Sequence, residues 1–556
     1  MESLIGYLNA INSVMLSVPV LLTLLGTGIV FTFWSGFCQY RSLTHGAFLV
    51  RGGLDSADGP GAISHFQALS AALSATVGLG NIAGVAIAVE LGGPGAVFWM
   101  WLVGFAGMAI KSFEVLLSML YRNTEDPNNP HGGTMWVAKK GLPERFPALK
   151  SISGIVGGLF CIPLLMFAFT GGNMFQAWSV ATSTEVYFGI PSWITGVVLA
   201  VLVGLVIIGG IKRIGQIASL IVPVMCGIYL LCGIIVIGIN YEAVPGMFKL
   251  IFTSAFNPTE ASGAFMGATF GVAFIFGMKR ALFSSEAGLG SAPIAHSAVR
   301  TKEPATEGVV AGLEPFVDTI VVCTITALVI LISGVWNRAP SSTWENTPVM
   351  QQVQDGYVPA VNTIASTDEM RSGDTVFALA DIRSASGETR IARIYGELES
   401  AGPEQVEITW FPEEIGTDEA ISLREPGVFK DYPGAAMTAR AFDLGVEGLG
   451  RYMVTIAIMM FALSTIITWS YYGEQGWVYM TGGRGVIIYK MIWCVVIVIP
   501  CLGFIRRITE IDTISTVALG FMMAVNLPLM WLMGSRAMAA WKDYFRRFNA
   551  GEIKEV

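Results

Sequence analysis

The sequence predicts an all-α polytopic membrane protein with a small β-rich insert on one face. Three observations predict it. Of the 556 residues 53% are hydrophobic and 13% charged, with a mean hydropathy of +0.62, a composition suited to lipid. At about 20 residues per crossing, eleven apolar stretches recur, near 13–37, 65–91, 94–121, 153–182, 191–210, 215–240, 260–288, 309–336, 451–480, 486–504 and 511–536. Between about Trp336 and Tyr452 the hydropathy collapses once, into a polar text.

The first stretch has no basic leader, follows Glu2 and is too long for a cleaved signal, so a retained helix is expected in a unit 1–64. Terse turns such as Gly92-Gly93-Pro94-Gly95 make the second and third stretches antiparallel neighbours. With the first helix set aside, the other ten divide into sets of five, 65–259 and then 260–337 with 451–536. Five is odd, so the second set enters the membrane upside down relative to the first. The repeat is read as topological only, without a residue-level match.

Within 338–450 the segments Asp374–Ala380, Arg390–Tyr395 and Gln405–Phe411 alternate with period two between Gly, Pro and Ser-Gly turns. They predict strands of a small outer domain; a partly disordered loop is the alternative. The largest cluster of acid behind the formal net charge of −8 lies there, and no nucleic-acid partner is expected. Placing the N-terminus outside puts Arg41, Arg51, Arg122, Lys139, Lys140, Arg145, Lys150, Lys212, Arg213, Arg300, Lys302, Arg484, Arg536 and the tail 537–556 with Lys542, Arg546 and Arg547 inside. The short outer loops keep Lys249, Arg506 and Arg507. By the positive-inside rule the chain is N-out and C-in, a multi-pass protein of the cell's inner (plasma) membrane. Seven cysteines lie in or beside apolar spans and four histidines never fall at i, i+3 or i+4, so neither a disulfide framework nor a histidine metal site is expected.

Function is read first from Thr76-Val-Gly-Leu-Gly-Asn-Ile-Ala-Gly84, in the middle of the second stretch. Three glycines and an asparagine weaken a helix where lipid tolerates no free backbone, each unpaired group costing several kcal/mol. Such an interruption survives only inside protein or against a water-filled cavity, so it predicts a polar pocket at mid-membrane. A dinucleotide loop shares the glycine spacing but needs a strand before it. A glycine face for helix packing explains the glycines but not Thr76 and Asn81. The second set opens with 260–288, where Phe276-Gly277-Met278-Lys279-Arg280 is the expected counterpart defect.

Four motifs make the chain familiar: TVGLGNIAGVAIAVELGGPGAVFWMW from Thr76, HGGTMWVAKKGL from His131, GMKRALFSSEAGLGSAPIAHSAV from Gly277 and ALSTIITWSYYGE from Ala462. Together they resemble the sodium–alanine/glycine symporter family of the amino acid–polyamine–cation superfamily, over about 1–336 and 433–536. The resemblance implies a leucine-transporter-type fold of two inverted five-helix repeats. It also implies sodium-driven symport of small neutral amino acids, alanine and glycine above all. The insert is longer than is usual in the family, so no role is inherited for it.

A zwitterion needs donors for its carboxylate and acceptors for its ammonium. Gly78, Leu79, Gly80 and Asn81 are expected to supply amides to the first, with Thr76 in the same site and beside a second ion near Asn81, and carbonyls around Phe274, Phe276 and Gly277 to serve the second. The span 65–91 has no acid before Glu90, which argues against a cationic substrate. Phe274, Met278 and Trp469 are the expected apolar caps, with ordinary helix packing as the alternative for each. For sodium, the resemblance implies carbonyls of Ala75 and Leu79 with the hydroxyls of Ser464 and Thr465; the alternative is that both hydroxyls bond back to their own helix. Lys111 and Glu114, three apart, are expected to neutralise each other. Lys279 and Arg280 with Glu286 are expected near the inner gate, and Asp318 in gate pairing or proton linkage.

Competing classes find less support. An enzyme would need a nucleophile with its base or a metal cluster, and neither grouping is present in the sequence. A sensor would use the insert as its ligand module, and a proton-coupled carrier would use proton in place of sodium.

Overall fold

The structure, a computed structural model, describes residues 2–54, 59–256, 270–354, 356–367, 370–385, 389–401, 405–416, 418–503 and 508–553. Its helices, in chain order, are α1 (Gly6–Ser35), α2 (His65–Thr76), α3 (Gly80–Gly92), α4 (Gly95–Tyr121), α5 (Pro147–Glu185), α6 (Ser192–Ile207) and α7 (Gly210–Ile239). There follow α8 (Val244–Phe256), α9 (Phe270–Ser285), α10 (Pro304–Ser333), α11 (Ala435–Gly445), α12 (Gly450–Thr481), α13 (Val486–Leu502) and α14 (Ile511–Asn549). Every predicted apolar stretch meets a helix, although the first part of 260–288 lies outside the described residues. Among the described residues seven helices are long and apolar enough to cross a membrane, and the pair α2–α3 makes an eighth, bent by 52°. The protein is an integral membrane protein. Its two faces are named here the insert side and the tail side.

The bend follows from local chemistry. A capping box starts α2, with Ser64 Oγ accepting the Gln67 N–H and Gln67 Oε1 accepting the Ser64 N–H. The helix then stops at Val77, whose ψ of 101° is extended. Glycines follow, and α3 resumes through a π-helical turn at Gly80–Gly84.

The second interruption is not at 276–280. That segment lies within the continuous helix α9, and the chain breaks instead at Glu286-Ala-Gly-Leu-Gly-Ser291, before a five-residue helix Ala292–His296. Here φ is 51° at Glu286, 87° at Gly288 and 76° at Gly290, a left-handed path that glycine takes without strain. Gly277 serves close packing: a Cβ there would lie 2.4 Å from the Ala96 carbonyl oxygen on α4. A glycine cut for packing had been mistaken for a glycine cut for unwinding.

Helices α3 and α9 run antiparallel. A Cβ on Gly92 would meet Phe276, one on Gly84 would meet Arg280, and one on Gly80 would meet Ser284. The pairing puts the break at 77–79 level with the break at 286–291. It also places Lys279 and Arg280 on the insert side of both breaks, so they do not form the expected inner network with Glu286.

In the insert, a six-stranded antiparallel sheet has the order β1-β8-β5-β6-β7-β4: β1 (Ser342–Thr343), β4 (Thr363–Ala365), β5 (Thr375–Ser384), β6 (Thr389–Ala401), β7 (Gln405–Trp410) and β8 (Glu419–Lys430). β2 (Met350–Val353) and β3 (Gly356–Pro359) form a separate hairpin. Period-two alternation gives the sheet two apolar faces. Val376, Ala378, Ala380, Ile394 and Ile408 build the insert's own core, while Phe377, Leu379 and Phe429 form a second cluster on the opposite face. The predicted strands are β5, β6 and β7.

Candidate functional site

Each break is held by an asparagine from the sequence around it or from another helix. At the first, Asn81 Oδ1 accepts the Gly78 N–H at 2.8 Å, closing the turn that the glycines open. Its Nδ2 donates to Asp318 Oδ1 at 2.5 Å and to Ser284 Oγ at 3.1 Å, binding the turn to α10 and α9. Asp318 also accepts the hydroxyls of Ser284 and Thr319, both at 2.7 Å. Those donors hold a fully buried carboxylate at a depth where a bare one would be very costly. At the second break, Asn526 of α14 donates to the Gly288 carbonyl and to Glu114 Oε2, both at 2.9 Å, and accepts the Thr134 hydroxyl at 2.7 Å.

Between the breaks lies a small cavity of about 30 Å³. It is lined from α2–α3 by Ala75, Thr76, Gly78, Leu79 and Gly80, and from α12 by Thr465 and Trp469. Helix α5 adds Phe167, Gly171 and Gln176, beside its π-helical turn Thr170–Met174, and the second break adds Phe283 and Glu286. Phe167 packs on Trp469 with ring centroids 4.6 Å apart. Gln176 Nε2 donates to the Gly171 carbonyl, and its buried Oε1 has no hydrogen-bond partner among the described residues. Glu286 is 3% exposed and accepts the Ser291 hydroxyl through Oε2.

Seven residues singled out in the sequence thus come together: Ala75, Thr76, Gly78, Leu79, Gly80, Thr465 and Trp469. Asn81 stands behind the cavity wall, with its side chain committed to Gly78 and Asp318. Phe274, Phe276, Gly277 and Met278 lie elsewhere, six to ten residues before Ser284 and so about 9–15 Å along α9. Phe274 packs edge-on to Trp99, at 5.0 Å, and Met278 is wholly buried. Their carbonyls belong to an unbroken helix, so the expected acceptors for an ammonium group are not where the sequence reading put them.

Five wall residues were missed: Phe167, Gly171, Gln176, Phe283 and Glu286. A signal for the last existed. Gly78-Leu79-Gly80 at the first break recurs as Gly288-Leu289-Gly290 at the second.

Beside the first break, α12 offers a cluster of uncharged oxygens. Thr465 Oγ1 donates to the Ser74 carbonyl at 2.9 Å, Ser74 Oγ to the Ser464 carbonyl at 2.7 Å, and Thr468 Oγ1 to Ser74 Oγ at 3.0 Å. An all-oxygen set suits a hard monovalent cation. The expected pair divides: Thr465 faces the break, whereas the Ser464 hydroxyl bonds back to Phe461 and lies beside Met225 Sδ of α7.

On the tail side the buried charges pair across helices. Lys111 Nζ meets Glu314 Oε1 at 2.9 Å rather than Glu114, which is held by Asn526. Glu307 takes hydrogen bonds from both His65 and His296. Among the described residues no group of three or more His, Cys, Asp or Glu is arranged to hold a metal.

Comparison with known proteins adds a second line. The family model for the sodium:alanine symporter family matches residues 1–366 and 419–556. Sodium/alanine symporter AgcS of Methanococcus maripaludis is 35% identical over 492 residues, 88% of this chain and 87% of that one. The putative sodium/proton-dependent alanine carrier protein YrbD of Bacillus subtilis is 30% identical over 98% of this chain and 93% of its own. Among solved structures, that of MhsT in complex with L-phenylalanine aligns over 87% of this chain, with a TM-score of 0.48 and 13% identity.

Proposed function

This chain belongs to the sodium:alanine symporter family, and from that premise we propose that it imports small neutral amino acids, alanine and glycine, together with sodium by alternating access. One observation carries the reading: a small cavity bounded by two helix interruptions at the same level. Half-helix ends offer partial charges that a zwitterion and a cation can use without free charges on the protein.

In this reading the main chain of Gly78–Gly80 receives the substrate carboxylate. Glu286 and Gln176 Oε1 receive the ammonium, a role the sequence reading had given to carbonyls of α9. Phe167, Phe283 and Trp469 close around a methyl group; a cavity of about 30 Å³ is room for a water or two, so it must widen to admit even the smallest amino acids. Sodium sits among Ser74, Ala75, Leu79, Thr465 and the main-chain carbonyl of Ser464, with the Thr465 hydroxyl as the hinge between α12 and the break. Asn81 acts through the turn it holds. The insert faces the outside of the cell's inner membrane and the tail faces the cytoplasm, in line with the basic short loops on the tail side.

The driving force is ample. About 2.3 kcal/mol per charge at 100 mV, plus about 1.4 kcal/mol per tenfold sodium gradient, gives roughly 3.7 kcal/mol per ion. One sodium per cycle then sustains an alanine gradient of several hundredfold.

Purified protein in liposomes tests the proposal. Labelled alanine uptake should follow an imposed inward sodium gradient and fail with a proton gradient alone. Uptake indifferent to sodium removes the coupling, and uptake driven by protons alone reassigns the ion.

A further inference from the structure

The insert grips the half-helix α3 at two points. Arg393 of β6 places Nη1 2.8 Å from Glu90 Oε1, near the insert-side end of α3, and both side chains are 5% exposed. The guanidinium also lies 4.5 Å from the centroid of the Phe377 ring, which stacks on Phe429 at 5.3 Å. The second apolar face of the sheet is thereby turned to the membrane part. The other grip comes through α11, joined to β8 by the four residues 431–434. Thr438 Oγ1 donates to the Ile82 carbonyl at 2.9 Å, at the π-helical turn of α3. Gly434 approaches Ala83 and Ile87 so closely that a Cβ there would lie 3.0 Å from Ala83 Cβ. Ile82 and Glu90 are eight residues apart, about 12 Å along the helix.

The two grips differ in origin. The family match stops at 366 and resumes at 419, so α11 lies within it while Arg393 and Phe377 lie outside. The segment that sets this chain apart from the family model supplies the charged half of the attachment.

We propose that the insert is a restraint on the insert-side gate, in which Arg393 clamps α3 through Glu90 and holds the cavity closed on that side. The inference rests on the reading of α3 as a moving half-helix. A buried ion pair suits the task. Two desolvated charges attract strongly, and separating them without water would leave Glu90 with Arg338 and Arg393 with Asp431 as the opposite charges that remain. As the gate opens, water enters and hydrates both, so the pair resists the first displacement most and the later ones less.

The test uses the full-length protein in liposomes, with Ile87→Cys as a reporter beneath Gly434 and a membrane-impermeant maleimide added on the insert side. The native chain measures background labelling of its own cysteines, five of which are buried, and the parent for comparison carries Ile87→Cys alone. Arg393→Gln should raise the reporter's labelling rate roughly threefold or more. Glu90→Gln with Arg393→Gln leaves no lone buried charge and should do the same, which keeps the test available should the single variant not fold. Exchanging the charges, Glu90→Arg with Arg393→Glu, should bring the rate back toward the parent. Labelling that stays at the parent rate in the double variant overturns the clamp. Sodium and alanine added to the parent test the transport reading separately: with no response there, α3 does not move with the substrate cycle, whatever the variants do.

Discussion

Asn81 and Asp318 meet at 2.5 Å, amide nitrogen to carboxylate oxygen, across 237 positions of chain. The other end of the same amide closes the turn at Gly78. The first helix break is therefore held by an acid on a different helix.

Removing that amide should be costly. Asn81→Ala leaves the Gly78 N–H and part of Asp318 without partners, at about 1–3 kcal/mol for each buried group. The detergent-purified variant is expected to melt several degrees lower and to lose uptake. Asn81→Asp should be worse, because it sets a carboxylate against Asp318. An unchanged melting temperature for Asn81→Ala would mean that the turn is held some other way.

The two hydroxyls of α12 should separate in their effects. Thr465→Ala removes the hydroxyl that reaches Ser74 on the broken helix, and a rise of about tenfold or more in the sodium needed for half-maximal uptake is expected, from the loss of about 1.4 kcal/mol. Ser464→Ala removes a hydroxyl bonded to its own helix and should leave sodium dependence close to the parent. Equal effects would remove the distinction.

Glu286 is the acid of the cavity wall, and Glu286→Gln should weaken alanine binding. A hydrogen bond to a charged group is worth about 1.5–3 kcal/mol, so the concentration for half-maximal uptake should rise roughly tenfold or more. Titration calorimetry of alanine in the presence of sodium checks this directly.

Glycines on α3 and α9 offer a contrast in stability. Gly277→Ala forces a methyl to within 2.4 Å of the Ala96 carbonyl oxygen and should cost about 1–3 kcal/mol as overpacking. Gly84→Ala meets nothing closer than Arg280 Cδ at 3.7 Å and should be tolerated. Thermal melts of the two variants decide it.

In the insert, burial first and Glu90 second push the Asp431 carboxyl up to about 6, against the pull of Arg393 and Arg338. A folded-state value above the ordinary 3.8 means that the folded protein holds this proton more tightly than the unfolded chain. The group's contribution to stability is thus greatest below about pH 4 and is lost as the pH rises through 6. Asp431→Asn should flatten that part of the pH–stability profile and melt higher than the parent at neutral pH.

How much was legible depended on how local the signal was. The first break could be read because its glycines, Thr76 and Asn81 lie within one turn or two. The second was misplaced because Gly277 beside Lys279 and Arg280 looks like a defect, whereas only the neighbouring Ala96 reveals why a glycine is needed there. The triplet at 288–290 was in plain view and went unmatched to 78–80. Partners at long range were invisible: Lys111 has Glu114 three residues away, yet pairs with Glu314 at 203 positions. Strands β5 to β7 announced themselves by alternation, while β8 was obscured by Pro426-Gly427 and its run of charges.

Because both interruptions lie at one level, each crossing is cut into an upper and a lower arm with a common fulcrum. The upper arms, α3 and most of α9, pack on one another, while the lower arm α2 packs on α7, α12 and the short helix after the second break. A tilt of one block can leave the other standing. Backbone loops at the fulcrum, with glycines at 78, 288 and 290, can absorb the change in angle through a few torsions while the core on either side remains packed.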